Sequence, residues 1–280
     1  MNSPVESPPM RLTDVDGIHF DMYDIGDGEP VVFVHGGMRD ECFAVLQEPA
    51  LTSSFRLIHY HRRGWGRSAK DGLPLSISQQ AQDCRAVMER IGVNRAHLAG
   101  QSYGGTILLQ FAVDFPAHVQ TLSLIEPALP SVLAESPEYQ DIVARSTPLL
   151  EAGKAEAALD AFFQGLLGAD YAEVLNKTYP PGWFERWVAD SDTIFQYDVP
   201  ALEAWEFTQA DAALITAPVL NMMGEHTAPF YQKTHEVLHT WLLQAESAVV
   251  PETAHAVLGT NPQGAAERIA DFCSRHPLGG

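Results

Sequence analysis

The chain has 280 residues, 46% of them hydrophobic and 19% charged, which is enough apolar material for a sizeable core and excludes both a disordered chain and a disulfide-stapled miniature. Seventeen Lys and Arg against 36 Asp and Glu give a formal charge of -19, so phosphate backbones and anionic membrane surfaces are repelled and neither is expected as a partner. The basic cluster Arg62, Arg63 and Arg67 is too small to reverse that field and reads as a loop or as internal salt bridges.

In chain order, residues 12–14 and 18–24 flank Asp16-Gly17 and predict an antiparallel hairpin. The β-branched run 31–34 stops at His35-Gly36-Gly37, as a strand buried on both faces does. Residues 55–60 form a similar run that ends before Arg63-Gly64-Trp65-Gly66. Ala81, Cys84, Val87, Met88 and Ile91 recur at steps of three and four and predict a helix over 78–91. A strand over 96–99 ends at Gly100, and an apolar helix over 103–115 stops before Pro116. Further runs at 119–125, 219–223 and 248–250 end at Glu126-Pro127, Gly224 and Pro251.

Strand and helix in alternation mean crossovers and a mostly parallel sheet, so the class is α/β with helices on both faces and one antiparallel hairpin. Residues 128–210 break the alternation with helical spacing and no strand run, and are expected to form a helical lid inserted into a core domain of residues 1–127 and 211–280. The lid is rich in aromatics, including Phe162, Phe163, Tyr171, Trp183, Phe184 and Trp187. Trp183 and Trp187, with Met38 from the core, are the expected substrate-binding residues, in keeping with the apolar lining of small-molecule sites.

Cys42, Cys84 and Cys273 are odd in number and far apart, which indicates reduced thiols rather than a disulfide framework or a CxxC metal site. The Pro/Ser-rich leader 1–9 has neither a basic nor an apolar signal segment, and no apolar run approaches the roughly 18 residues of a membrane span. A cytoplasmic protein is expected. His235 and His239 are four apart on a helix but lack the carboxylate of an HExxH site, so they are read as surface residues and no metal is expected.

Gly100-Gln101-Ser102-Tyr103-Gly104 links a strand to a helix. Its glycines allow a cramped turn that lifts the serine hydroxyl above the sheet edge beside helix N-terminal amides. The bland alternative is a helix-capping serine between turn glycines. A serine nucleophile needs a base, and His255, in the loop after the last strand run, reaches the same edge.

With these motifs in order, the chain resembles the α/β-hydrolase family over nearly its whole length: His35-Gly36-Gly37, the loop 63–68, the serine elbow and the late histidine. The resemblance implies the α/β-hydrolase fold, a nucleophile Ser102, a base His255, and oxyanion amides at Gly37, shared with Met38, and at Tyr103. It also places His59 and His61 where the family often has an Asp; both are read as structural.

The sequence departs from the common family pattern at the third triad member. Where an Asp is common, Gly224-Glu225-His226-Thr227 has a threonine, which cannot carry the needed charge. Glu126 at the end of the preceding strand run is the expected acid, with Glu225 as the alternative. A Ser, Glu, His order is similar to that of zearalenone-cleaving lactonases. The expected function is a cofactor-free serine esterase or lactonase acting on a bulky apolar or aromatic small molecule, the chain working alone or as a homodimer. Three other activities share the fold: a hydrolase of carbon-carbon bonds in vinylogous diketones, a cofactor-free perhydrolase, and a hormone-receptor-like binding protein.

Overall fold

The computed structural model describes residues 9–279, so all of the predicted leader but Pro9 lies outside the described residues. Strands β1 (Arg11–Val15), β2 (Ile18–Ile25), β3 (Glu29–Val34), β4 (Phe55–Tyr60), β5 (Ala96–Gln101), β6 (Val119–Ile125), β7 (Val219–Gly224) and β8 (Ala245–Val250) form one sheet. Their order is β1-β2-β4-β3-β5-β6-β7-β8. β1 pairs with β2 and β2 with β4 in antiparallel fashion, and every other pairing is parallel.

The mixed α/β sheet is the one the periodicity predicts. Asp16 and Gly17 take φ of 52° and 86°, the left-handed pair that a tight hairpin turn requires. β3 shows why its run is uniformly apolar: Val32 and Val34 point into one buried cluster, Val31 and Phe33 into the other on the opposite face. Helices Ile77–Arg90 and Tyr103–Asp114 fill the first face through Cys84, Val87, Ile107 and Phe111, whereas helix Pro262–Arg275 fills the second through Ala265, Ile269 and Phe272. Ser76 and Gln79 close the first of these helices with a reciprocal capping box.

Most boundaries fall within two residues of expectation, and that of β8 departs by more. β5 runs on to Gln101, and β8 begins at Ala245 rather than 248, because its exposed Glu246 and Ser247 hide the strand from an apolar-run criterion. Between β6 and β7 the described residues form helices and turns and no strand. Phe163, Tyr171, Trp183 and Trp187 from this segment are buried in the same cluster as Val34 and Leu108, so the segment packs directly onto the sheet layer.

The chain leaves β3 to build β4 on one side and returns to build β5 on the other, so the strand order reverses between β3 and β5. The carboxyl ends of strands at such a reversal open a crevice where ligands bind in α/β sheets. His35, Gly36 and Gly37 follow β3 and Ser102 follows β5, at that crevice.

The basic cluster resolves into internal ion pairs: Arg62 with Asp198, Arg63 with Asp83, and Arg67 with Asp21. The three cysteines are free and buried. His239 is exposed, but His235 is buried, with its Nε2 at 2.8 Å from Ser247 Oγ, which corrects its reading as a surface residue. No described helix is long and apolar enough to cross a membrane, and no cluster of three or more metal-ligating side chains occurs among the described residues.

Candidate active site

Ser102 takes φ 53° and ψ −124°, a conformation that costs a non-glycine residue on the order of 1–3 kcal/mol and persists only where the surroundings enforce it. The surroundings are tight. A Cβ on Gly104 would stand 2.0 Å from the Val34 carbonyl oxygen, and one on Gly100 would stand 2.7 Å from the backbone of Gly104. Both glycines of the pentapeptide are therefore required by backbone approach, and the serine sits at the start of helix Tyr103–Asp114, where amides lack intrahelical partners.

Glu126, which is buried, also takes a left-handed backbone, with φ 45°. Its N–H donates to Met222 O at 3.1 Å and extends the β6–β7 ladder by one residue. The turn sends its side chain across the end of β7, where the Gly224 N–H donates to Oε1 at 2.7 Å and the Thr227 hydroxyl donates to Oε2 at 2.9 Å. His255 Nδ1 lies 2.6 Å from the same Oε2. A carboxylate accepts only, so the proton belongs on Nδ1, leaving Nε2 as the free lone-pair nitrogen.

Thr227, where an Asp is common in the family, thus holds the glutamate in place. Glu225, the alternative acid, is half exposed and accepts from the Glu252 N–H at 3.0 Å, away from His255.

Tyr231, from helix Pro229–Trp241, stacks on the His255 ring at 3.8 Å with planes 7° apart. Its hydroxyl interacts with Ser102, and burial holds its pKa well above the usual tyrosine value. No sequence signal marked this tyrosine. It follows an ordinary Ala-Pro helix start, and its partner lies 24 residues on.

Ser102, His255, Gly37, Met38 and the first turn at Tyr103 line one cavity, with about 70 Å³ of free interior. Its apolar wall comes from Leu133, Phe162, Phe163, Leu166, Ile194, Val199 and Leu202, all between β6 and β7. Trp183 and Trp187 are not on that wall. They line a smaller hollow beside Arg39 and Tyr179, and their indole N–H groups are spent on Asn176 Oδ1 at 2.9 Å and Gly37 O at 2.6 Å. Helical periodicity gives the buried face of a segment but not which of its aromatics reach the cavity.

Two buried carboxyls also reach the cavity. Asp198 receives both terminal nitrogens of Arg62, at 3.0 and 2.7 Å, and Trp65 Nε1 at 3.2 Å. Glu41 accepts from the Gly36 N–H and from Gln101 Nε2 at 3.4 Å. The apolar run 42–46 that follows Glu41 was the available hint that this acid is drawn inside.

The sequence pattern of the α/β hydrolase family matches residues 31–268. The chain belongs to the α/β-hydrolase family. RutD of Caulobacter vibrioides, a protein named for carbamate hydrolysis, is 31% identical over 119 residues, which cover 41% of this chain and 44% of RutD. The chain thus aligns with less than half the length of that relative. A thermophilic esterase from Thermogutta terrifontis superposes with a TM-score of 0.76 at 21% identity, over 96% of this chain and 98% of the esterase. The enol-lactonase from Burkholderia xenovorans LB400 gives 0.72 at 19% identity, over 94% and 99%. At such identities the two superpositions establish a shared fold.

Proposed function

We propose that the protein is a serine hydrolase that cleaves a carboxylic ester or lactone of a bulky apolar or aromatic molecule through an acyl-enzyme. The observation that carries this reading is the convergence on one cavity of a strained Ser102 and of His255, whose far nitrogen is held by Glu126 at 2.6 Å. Esterase and lactonase activity in proteins of the same fold is consistent with it.

In this mechanism His255 Nε2 takes the Ser102 proton as Oγ attacks the carbonyl carbon. Glu126 fixes the tautomer and stabilises the imidazolium, while the amides of Gly37, with Met38, and of Tyr103 hold the negative oxygen. The imidazolium then protonates the leaving alkoxide, and a water activated by the same nitrogen releases the acyl group and restores Ser102. In a lactone the alcohol stays tethered to the acyl group until that second step.

The apolar wall favours a hydrophobic acyl or ring portion. That wall comes from the segment between β6 and β7, which covers Ser102 and His255 and through which the substrate must enter. The helical segment 128–210 then acts as a lid over a core domain of residues 1–127 and 211–280.

The test is a fluorophosphonate probe with Ser102→Ala beside it. Labelling at Ser102, and loss of ester turnover in a folded Ser102→Ala variant, are the expected results. Normal turnover without the hydroxyl, or a label elsewhere, overturns the reading.

A further inference from the structure

Of the two buried carboxyls at the cavity, neither of them used by the mechanism above, Asp198 is paired with Arg62 and Glu41 has no such ion pair among the described residues. It lies 1% exposed on the cavity wall, four residues beyond Gly37. Its Oε1 accepts from the Gly36 N–H, and its Oε2 from Gln101 Nε2 at 3.4 Å. Gln101 Oε1 in turn accepts from the Leu258 N–H at 2.9 Å. That bond settles which end of the amide faces which partner, since Leu258 offers a donor and needs the oxygen.

The chain of contacts spans the three segments to which the mechanism assigns the chemistry: the turn after β3, the last residue of β5 just before Ser102, and the segment after His255. They are crowded together here. A Cβ placed on Gly36 would stand 2.9 Å from Ser102 Cβ and 3.2 Å from Glu41 Oε1.

We propose that Glu41 is a positioning residue, which through Gly36 and Gln101 sets the oxyanion loop against the nucleophile and the histidine loop. The inference rests on the serine-hydrolase reading.

Its charge state matters because of where it sits. The ionisable groups facing it are Cys42 beside it, Tyr179 from the lid segment, Tyr231 from the helix over His255, and Arg62 from the loop after β4. Cys42, Tyr179 and Tyr231 are held neutral by burial. Arg62 is already paired with Asp198, so burial prevails over its attraction and pushes the Glu41 carboxyl up to about 8. Burial thus favours the neutral form near pH 7, with the proton on Oε2, the oxygen whose contact with Gln101 is the longer. Once ionised, it sets a negative charge next to an oxygen that must itself become negative, which raises the barrier.

The experiment measures kcat and KM of wild type, Glu41→Leu and Glu41→Gln on one aryl ester between about pH 6 and about pH 9.5, with the rate of fluorophosphonate labelling in parallel. Glu41→Leu removes the acceptor for Gly36 and should lower kcat and the labelling rate by roughly ten- to a hundredfold at near-constant KM. Glu41→Gln keeps an acceptor for Gly36 and cannot ionise, although its amide nitrogen meets Gln101 Nε2, so it should lose less than Glu41→Leu and stay level where wild type declines above pH 8.

A folded Glu41→Leu variant within twofold of wild-type kcat overturns the proposal, and so does a Glu41→Gln profile that declines over the wild-type range. A flat wild-type profile does the same. If Glu41→Leu does not fold, the pH profiles decide alone. An unlabelled wild-type Ser102 removes the hydrolase reading and the inference with it, whereas a labelled wild type with indifferent Glu41 variants removes only the inference.

Discussion

The indole N–H of Trp187 donates to the carbonyl oxygen of Gly37 at 2.6 Å. That carbonyl shares a peptide plane with the N–H of Met38, so the bond fixes the orientation of one of the amides proposed to meet the oxyanion. It also ties the oxyanion loop to the helical segment between β6 and β7. Trp187→Phe keeps the ring packed on Phe163 and Trp183 but removes the donor. The expected result is a loss in kcat of roughly tenfold with KM little changed, because the deleted bond aligns a group that acts in the transition state. Steady-state kinetics on one aryl ester checks it; a raised KM with normal kcat would return Trp187 to a binding role.

Selectivity for bulky acyl groups should reside in Phe162 and Leu202, which line the cavity. Each removes apolar area from water against a large substrate at roughly 25 cal/mol per Å² and contributes little to an acetyl ester. Phe162→Ala and Leu202→Ala are expected to raise KM several-fold for a long or aromatic acyl ester and hardly at all for acetate. Trp183→Ala, at a residue off the cavity wall, should not discriminate between the two. Equal effects of Phe162→Ala on both esters would place that ring in the lid's own packing.

The division between what was legible in the sequence and what was not follows from the physics of each signal. Strand β3 announced itself because burial on both faces demands a continuous apolar run, and β4 and β6 through mostly apolar runs interrupted by Arg56, His59, Gln120 and Ser123, while β8 lost its first residues to exposed Glu246 and Ser247. Ser102 was legible because the elbow's close backbone approaches admit only glycine on either side. The contact of Glu126 with His255 was expected by default, since Thr227 carries no carboxylate. The contacts of Trp187, Tyr231 and Glu41 depend on partners 150, 24 and 60 residues away, respectively. Such pairings come from tertiary packing, which no local pattern encodes.

Acid should weaken the fold through His59. Burial lowers its pKa from 6.5 to about 4, with the hydrogen bond to Phe33 O only partly opposing. Between these values the unfolded chain binds more protons than the folded one, so stability falls as pH drops below 6.5. The contribution lost by pH 5 is on the order of 2 kcal/mol. Several buried carboxyls with raised pKa act in the opposite sense, so the informative quantity is the difference in urea midpoint between wild type and His59→Gln. That gap should narrow from pH 7 to pH 5. A constant gap would mean that His59 titrates normally.

Turnover should survive dialysis against a chelator, because in the proposed mechanism amides hold the oxyanion and an imidazole activates the serine. Activity lost on chelation and restored by zinc would contradict the mechanism.

The position of Thr227 yields a further expectation. Its hydroxyl lies 2.9 Å from Glu126 Oε2, so Thr227→Asp alone would force two carboxyls together and should impair both stability and rate. In a Glu126→Gln background the same change supplies the missing charge, and part of kcat should return.

The central claim is that Glu126 serves His255 as the triad acid, and it is tested most directly by kcat of Glu126→Gln beside Glu225→Gln on the same ester. Glutamine preserves the shape of Glu126 but can neither secure the proton on Nδ1 nor stabilise imidazolium, so a loss on the order of 10³ to 10⁴ is predicted. Glu225→Gln, at a half-exposed residue bonded to the Glu252 amide, should remain near wild type. A large loss for Glu225→Gln with a nearly normal Glu126→Gln would contradict the account.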